Sequence, residues 1–135
     1  CAEAGYPVRA VLMPILPVLG WQAAYVAFLE ELLRRVPLGR ITLGSICSYP
    51  QALRLTDLKL GPDNVISASL DRSNGRSADG RLRFPTVVRG QAYRVLIDTI
   101  RRLRPDLEVG LCLEDRPMFD ALAMTSSLGK CNCVL

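Results

Sequence analysis

From Pro7 to Leu16 almost every residue is apolar (Val8, Ala10, Val11, Leu12, Met13, Ile15, Leu16), and this run constrains the fold more than any other stretch. A half-exposed strand alternates apolar and polar side chains, whereas a continuous apolar run of this length suits a strand buried on both faces of a parallel sheet. Pro14, which has no N–H to give, marks where pairing stops. Interrupted by Pro14 and Pro17, the run is too short to span a bilayer, and no basic segment precedes it as in a signal peptide. The expectation is a cytoplasmic chain with no membrane association.

Helices and further strands alternate after this first strand. Residues 22–36 place Tyr25, Phe28, Leu29, Leu32, Leu33 and Val36 at helical spacing, with Arg34 and Arg35 in the last turn and Pro37 and Gly39 as the stop. Residues 40–47 read as a second strand, through Ile41, Leu43 and Ile46. Ser48 is the expected cap of a short helix that has Pro50 just inside its start and runs to about Lys59. A second long helix is expected over 89–103, with Ala92, Val95, Leu96, Ile100 and Leu103 on one face, and a third core strand over 107–113. Asp115 caps a last helix through Met124. Strands and helices in this order give parallel neighbours at 8–15, 40–47 and 107–113, joined by right-handed crossovers, with both long helices on one outer face.

The 135 residues have room for one domain, 1–135, and 50% hydrophobic against 22% charged residues is a globular balance. Three such strands make half a barrel or a small open sheet. Residues Ala2 to Tyr6 read as the end of a helix closing on Gly5. The expectation is therefore a C-terminal part of a larger protein.

The net charge of +4 is unevenly spread. Between Arg72 and Arg94 lie six arginines (Arg72, Arg76, Arg81, Arg83, Arg89, Arg94) and one acid, Asp79, a local net of +5. The Asn-Gly and Asp-Gly pairs of 73–80, followed by alternating Arg81, Leu82, Arg83 and Phe84, predict a small hairpin or arm over about 72–88. Histidine is absent, which removes Ser-His-Asp triads, Cys-His pairs and zinc sites containing imidazole. The five cysteines include Cys131-x-Cys133, two thiolates where a metal site needs four ligands. Glu114 and Asp115 follow a strand's C-terminal end, where barrel sites gather.

The residues Ala4-Gly5-Tyr6-Pro7-Val8, the strand ending Met13-Pro14-Ile15, and then Gly20-Trp21 with Tyr25 resemble the spore photoproduct lyase family of radical S-adenosylmethionine proteins. The similarity continues through Gly80-Arg81-Leu82-Arg83-Phe84 and the helix after it, and covers most of residues 2–113. It implies an α/β fold: the second half of a partial (β/α)6 TIM-like barrel with mainly parallel strands, plus a small hairpin or arm.

The resemblance also implies the chemistry. The family's iron–sulfur motif, Cys-x-x-x-Cys-x-x-Cys, lies in the other half of the barrel, and no three cysteines here have that spacing. S-adenosylmethionine and a [4Fe–4S] cluster thus belong to the parent protein, neither is expected to be bound by this chain alone, and no catalytic or metal-binding residue is carried across. Met13, Pro14 and Ile15 match the strand end whose backbone approaches the adenine of S-adenosylmethionine, with Met13 where the family has Ala. Arg76, Arg81 and Arg83, with Phe84 among them on a solvent face, match the hairpin that holds lesion-containing DNA, although the family's Tyr and Lys are absent from it. The implied partners are DNA and the N-terminal half of the same protein. A non-catalytic nucleic-acid or protein interaction module using the arginine-rich arm is the alternative reading.

Overall fold

A computed structural model describes residues 2–70 and 79–132. Its centre is a sheet of three parallel strands in the order β1 (Arg9–Ile15), β2 (Arg40–Ser45), β5 (Glu108–Leu111). Ala10 pairs with Ile41 and Leu12 with Leu43, and Ile41 and Leu43 pair in turn with Val109 and Leu111. Side chains alternate across a strand, so this register lines up the residues of one face. That face packs against α1 (Trp21–Arg35) and α4 (Thr86–Leu103), which touch each other and bury Leu29, Leu33, Leu96, Ile97 and Ile100 in the same core as Ile41, Leu43, Val109 and Leu111. The parallel arrangement and both long helices are as the sequence predicts.

The burial of β1 is not. Val11 and Met13 are 56% and 36% exposed. Among the described residues β1 is an edge strand, and no helix covers its second face as a continuous apolar run implies. On the middle of that face lies the tail segment Lys130 to Asn132. The Asn132 amide N–H donates to Thr42 Oγ1 (3.2 Å), its Nδ2 to the Ala10 carbonyl (2.8 Å), and Arg40 Nη1 to the Cys131 carbonyl (3.5 Å). Gly110 permits this approach, because a Cβ there would collide with the Lys130 carbonyl oxygen.

A second, smaller unit sits at the C-terminal ends of the strands. β3 (Cys47–Ser48) pairs antiparallel with β4 (Leu82–Arg83), over a cluster of Leu53, Leu70 and Leu82 from α2 (Pro50–Leu60) and the segments around it. β4 thus pairs with a segment distant in sequence, and the part of the expected hairpin or arm at residues 71–78, with Arg72 and Arg76, lies outside the described residues. Ser48 belongs to β3, and Tyr49 takes the cap position of α2 without a side-chain cap bond. The helix α3 (Val65–Ser69) is additional to the elements expected; Asn64 caps it by accepting from the Ser67 N–H. Asp115 caps α5 (Arg116–Ala121) as expected, accepting from the Met118 N–H at 3.1 Å, though that helix stops short of Met124. Among the described residues no helix is long and apolar enough to cross a membrane.

Candidate functional site

The C-terminal ends of β2 and β5 meet the first turns of α4, and four polar groups are enclosed there. Arg89 and Tyr93 stand one helical turn apart on the buried side of α4. Arg89 Nε donates to Glu114 Oε1 (3.0 Å), and its Nη1 to the Phe84 carbonyl (2.5 Å). The Tyr93 hydroxyl donates to Glu114 Oε1 (2.7 Å) and accepts the Ser45 N–H (2.7 Å). The Arg89 and Glu114 side chains are 7% and 2% exposed, so this is a buried ion pair supported by further hydrogen bonds to Phe84 and Tyr93. Burial, reinforced by the Glu114 charge, holds the Tyr93 phenol well above the ordinary tyrosine range, so it remains a donor. Leu113, just before Glu114, has φ 58°, a left-handed conformation that turns the chain at the end of β5.

Above this network lies the arginine cluster. Arg83 gives Nη1 and Nη2 to the two oxygens of Asp79 (2.9 and 2.5 Å), and Nη2 also reaches the Leu113 carbonyl (3.1 Å). Arg81 binds the same carboxylate through its backbone N–H (3.1 Å) and Nη1 (3.2 Å). Its guanidinium lies 5.0 Å from the centroid of the Tyr49 ring. Cys47 faces Arg83 across the β3–β4 pair; burial raises its thiol pKa, against the opposing pull of Arg83 and Arg81. The hydrogen bond to Asp79 pushes the Arg83 pKa higher still, so its charge is fixed.

The expected site residues are thus partly relocated. Arg83 is 12% and Arg81 25% exposed by side chain, and Phe84 is buried at 4%, so the solvent-facing arm is in fact a half-buried cluster seated on the strand ends. Asp79 holds both arginines, and Arg83 is drawn in further by the pairing with β3 and the Leu113 carbonyl. Arg76 lies outside the described residues. Met13, Pro14 and Ile15 close β1 at the same end of the sheet, on its opposite edge. Met13 lies over Gly44, its Sδ 2.8 Å from where a Cβ would be, while Ile15 is wholly buried. The Pro14 carbonyl accepts from the Tyr25 hydroxyl (3.3 Å), and that hydroxyl accepts the Leu16 N–H (3.0 Å). Tyr49, Asp79, Cys47, Arg89 and Tyr93 have no site role that the sequence alone assigns. The legible signal is Arg89 and Tyr93, polar groups on the apolar stripe of α4. Among the described residues no group of three His, Cys, Asp or Glu side chains is placed to hold a metal ion.

No family model matches the chain, and no curated protein sequence does. Solved structures do. Spore photoproduct lyase complexed with a dinucleoside spore photoproduct aligns with a TM-score of 0.65 at 20% identity, over 82% of this chain and 35% of the other. In fold, this chain is similar to part of spore photoproduct lyase. A double mutant of the lyase with bound AdoMet and dinucleoside spore photoproduct aligns with a TM-score of 0.63 at 21% identity, over 80% of this chain and 34% of the lyase chain. The chain spans about a third of the length of the lyase structures it matches.

Proposed function

We propose that the chain forms part of a radical S-adenosylmethionine enzyme similar to spore photoproduct lyase, as the second half of a partial (β/α)6 barrel, with nucleic acid as the substrate class. The observation that carries this reading is the Arg81–Arg83–Asp79 cluster at the C-terminal ends of parallel strands, on a fold shared with lyase structures that hold a dinucleoside photoproduct. Strand C-terminal ends are where barrel enzymes gather their sites. Guanidinium groups match the geometry of a phosphate.

The fit to S-adenosylmethionine rests on β1. Its end offers backbone groups at Met13 and Ile15, and Met13 withdraws its side chain onto Gly44, where an Ala would leave room. These residues would hold the adenine through backbone, and Tyr25 fixes the turn beyond them. Bound together with an iron–sulfur cluster, S-adenosylmethionine supplies the radical for repair chemistry. The cluster and its cysteines are assigned to an N-terminal half, and the location to the cytoplasm.

The test is the double substitution Arg81→Ala with Arg83→Ala, followed by DNA binding from about 50 to 200 mM salt, where phosphate-driven affinity changes most. Each lost phosphate contact flattens the log–log slope by about one unit. An unchanged slope and affinity would show the arginines to be structural and sink the reading.

A further inference from the structure

We propose that the groove between α4 and the end of α5, further along α4 than Arg89 and Tyr93, binds a free acidic α-amino acid of glutamate's size. This inference is independent of the nucleic-acid reading above. The groove measures about 210 Å³, below the roughly 300–1,000 Å³ of drug-sized sites, and so suits a ligand no larger than one amino acid. One side is a face of α4: Arg94, Asp98 and Arg101 follow one another at i, i+4 and i+7, which stacks them over successive turns in the order positive, negative, positive. The floor is Ile97 and Leu122, 2% and 8% exposed. Ala123 lines the other side in a left-handed conformation (φ 53°) that glycine would take without strain. Backbone strain of this kind gathers at ligand sites.

Opposite charges three or four residues apart on a helix ordinarily pair with each other. Here Arg94 turns instead to the Ala121 carbonyl, with Nη2 3.4 Å from the oxygen, and among the described residues Asp98 and Arg101 make no ion pair or hydrogen bond. The adjacent charges are taken, Arg102 by Glu30 (3.6 Å) and Asp120 by Arg116 (3.0 Å). Three charges of alternating sign thus line one apolar-floored groove without satisfying one another. A free acidic amino acid carries the complementary set. Its α-carboxylate and α-ammonium share one carbon, which suits Arg101 and Asp98 one turn apart, and a guanidinium fork meets a carboxylate in two bonds. Its methylenes lie over Ile97 and Leu122, and its second carboxylate reaches Arg94 a further turn along. A simple anion would set like charge against Asp98, and a simple cation would set it against both arginines.

The experiment follows backbone amide shifts of the isotope-labelled chain during titration with three ligands. These are L-glutamate, glutarate, which lacks the ammonium, and L-norvaline, which lacks the side-chain carboxylate. The expected result for glutamate is saturable shifts at Asp98, Arg101 and Ala121 to Ala123, with a Kd of about 1 mM or tighter. Each analogue should bind about tenfold more weakly, the loss of one charge-assisted contact. Asp98→Asn should weaken glutamate about tenfold and leave glutarate no weaker than before, and Arg94→Gln should weaken glutamate and glutarate but not norvaline. Both side chains are at the surface, and each variant is required to keep the parent's spectrum away from the groove. Shifts still linear at ten times the expected Kd, equal affinity for the three ligands, or an Asp98→Asn that loses glutarate as it loses glutamate would each overturn the inference. So would saturable shifts centred on Arg81 and Arg83, which would place the ligand at the strand ends.

Discussion

Glu114 serves Arg89 and Tyr93 with one carboxylate, and all three are enclosed between the ends of β2 and β5 and the start of α4. Removing the charge strands a buried guanidinium. Glu114→Gln should cost about 3–5 kcal/mol, seen as a lowered urea midpoint with unchanged slope. Adding Arg89→Met should recover part of the loss, because the stranded charge goes too; a double variant worse than the single would show that the two residues do not act as a pair. Cys47 makes a pH prediction. Its thiol pKa is raised, mainly by burial, so folding favours the protonated form. An acid whose folded value is raised stabilises the fold below the ordinary thiol range, and the contribution fades as pH rises through the raised value. Stability should therefore fall on the alkaline side, and less steeply in Cys47→Ser. At about pH 8.5, the ordinary thiol value, iodoacetamide should label Cys47 more slowly in the folded chain than in urea, read by peptide mass mapping. Equal rates would show that the thiol is not shielded.

At the scale of elements, α1 and α4 were legible because their apolar stripes run four turns or more and their ends carry stop signals. Short pieces escaped for physical reasons. β3 and β4 are two residues each, and what holds them is each other, a pairing that local periodicity cannot register. Only the Asn64 cap announced α3. An apolar run such as β1 says that a strand tolerates burial; it does not say what covers it, and here one face carries Val11 and Met13 into the open. The tail was equally hidden. Its seat depends on a backbone approach at Gly110 and on the Thr42 hydroxyl, neither of which leaves a pattern in the sequence. Gly110→Ala should displace it at a cost of about 1–3 kcal/mol, with faster amide exchange at Asn132. Gly44→Ala meets the flexible end of Met13 and should be milder, and milder still with Met13→Ala. A Gly110→Ala chain with parental exchange at Asn132 would refute the tail's placement.

On the scale of the whole molecule, the fold agrees with the lyase structures over most of this chain and about a third of theirs. The parallel sheet was readable from three apolar strands separated by two amphipathic helices. The arrangement of the candidate site was not readable, because the charge count of the arm carried no sign that Asp79 would gather Arg81 and Arg83. With the cluster motif assigned elsewhere, anaerobic reconstitution of the isolated chain should give no stoichiometric iron and sulfide and no 5′-deoxyadenosine; obtaining both would overturn that assignment. The edge position of β1 has a practical corollary. Among the described residues it has a strand on one side only, so its outer rim offers amides and carbonyls, backed by Val11 and Met13, as a template for another extended segment. Arg9 and Pro14 temper that rim without closing it. For a preparation of this chain, crowding is then the hazard: dilution should keep it clear, and a short extended peptide matched to the rim should do the same at high concentration.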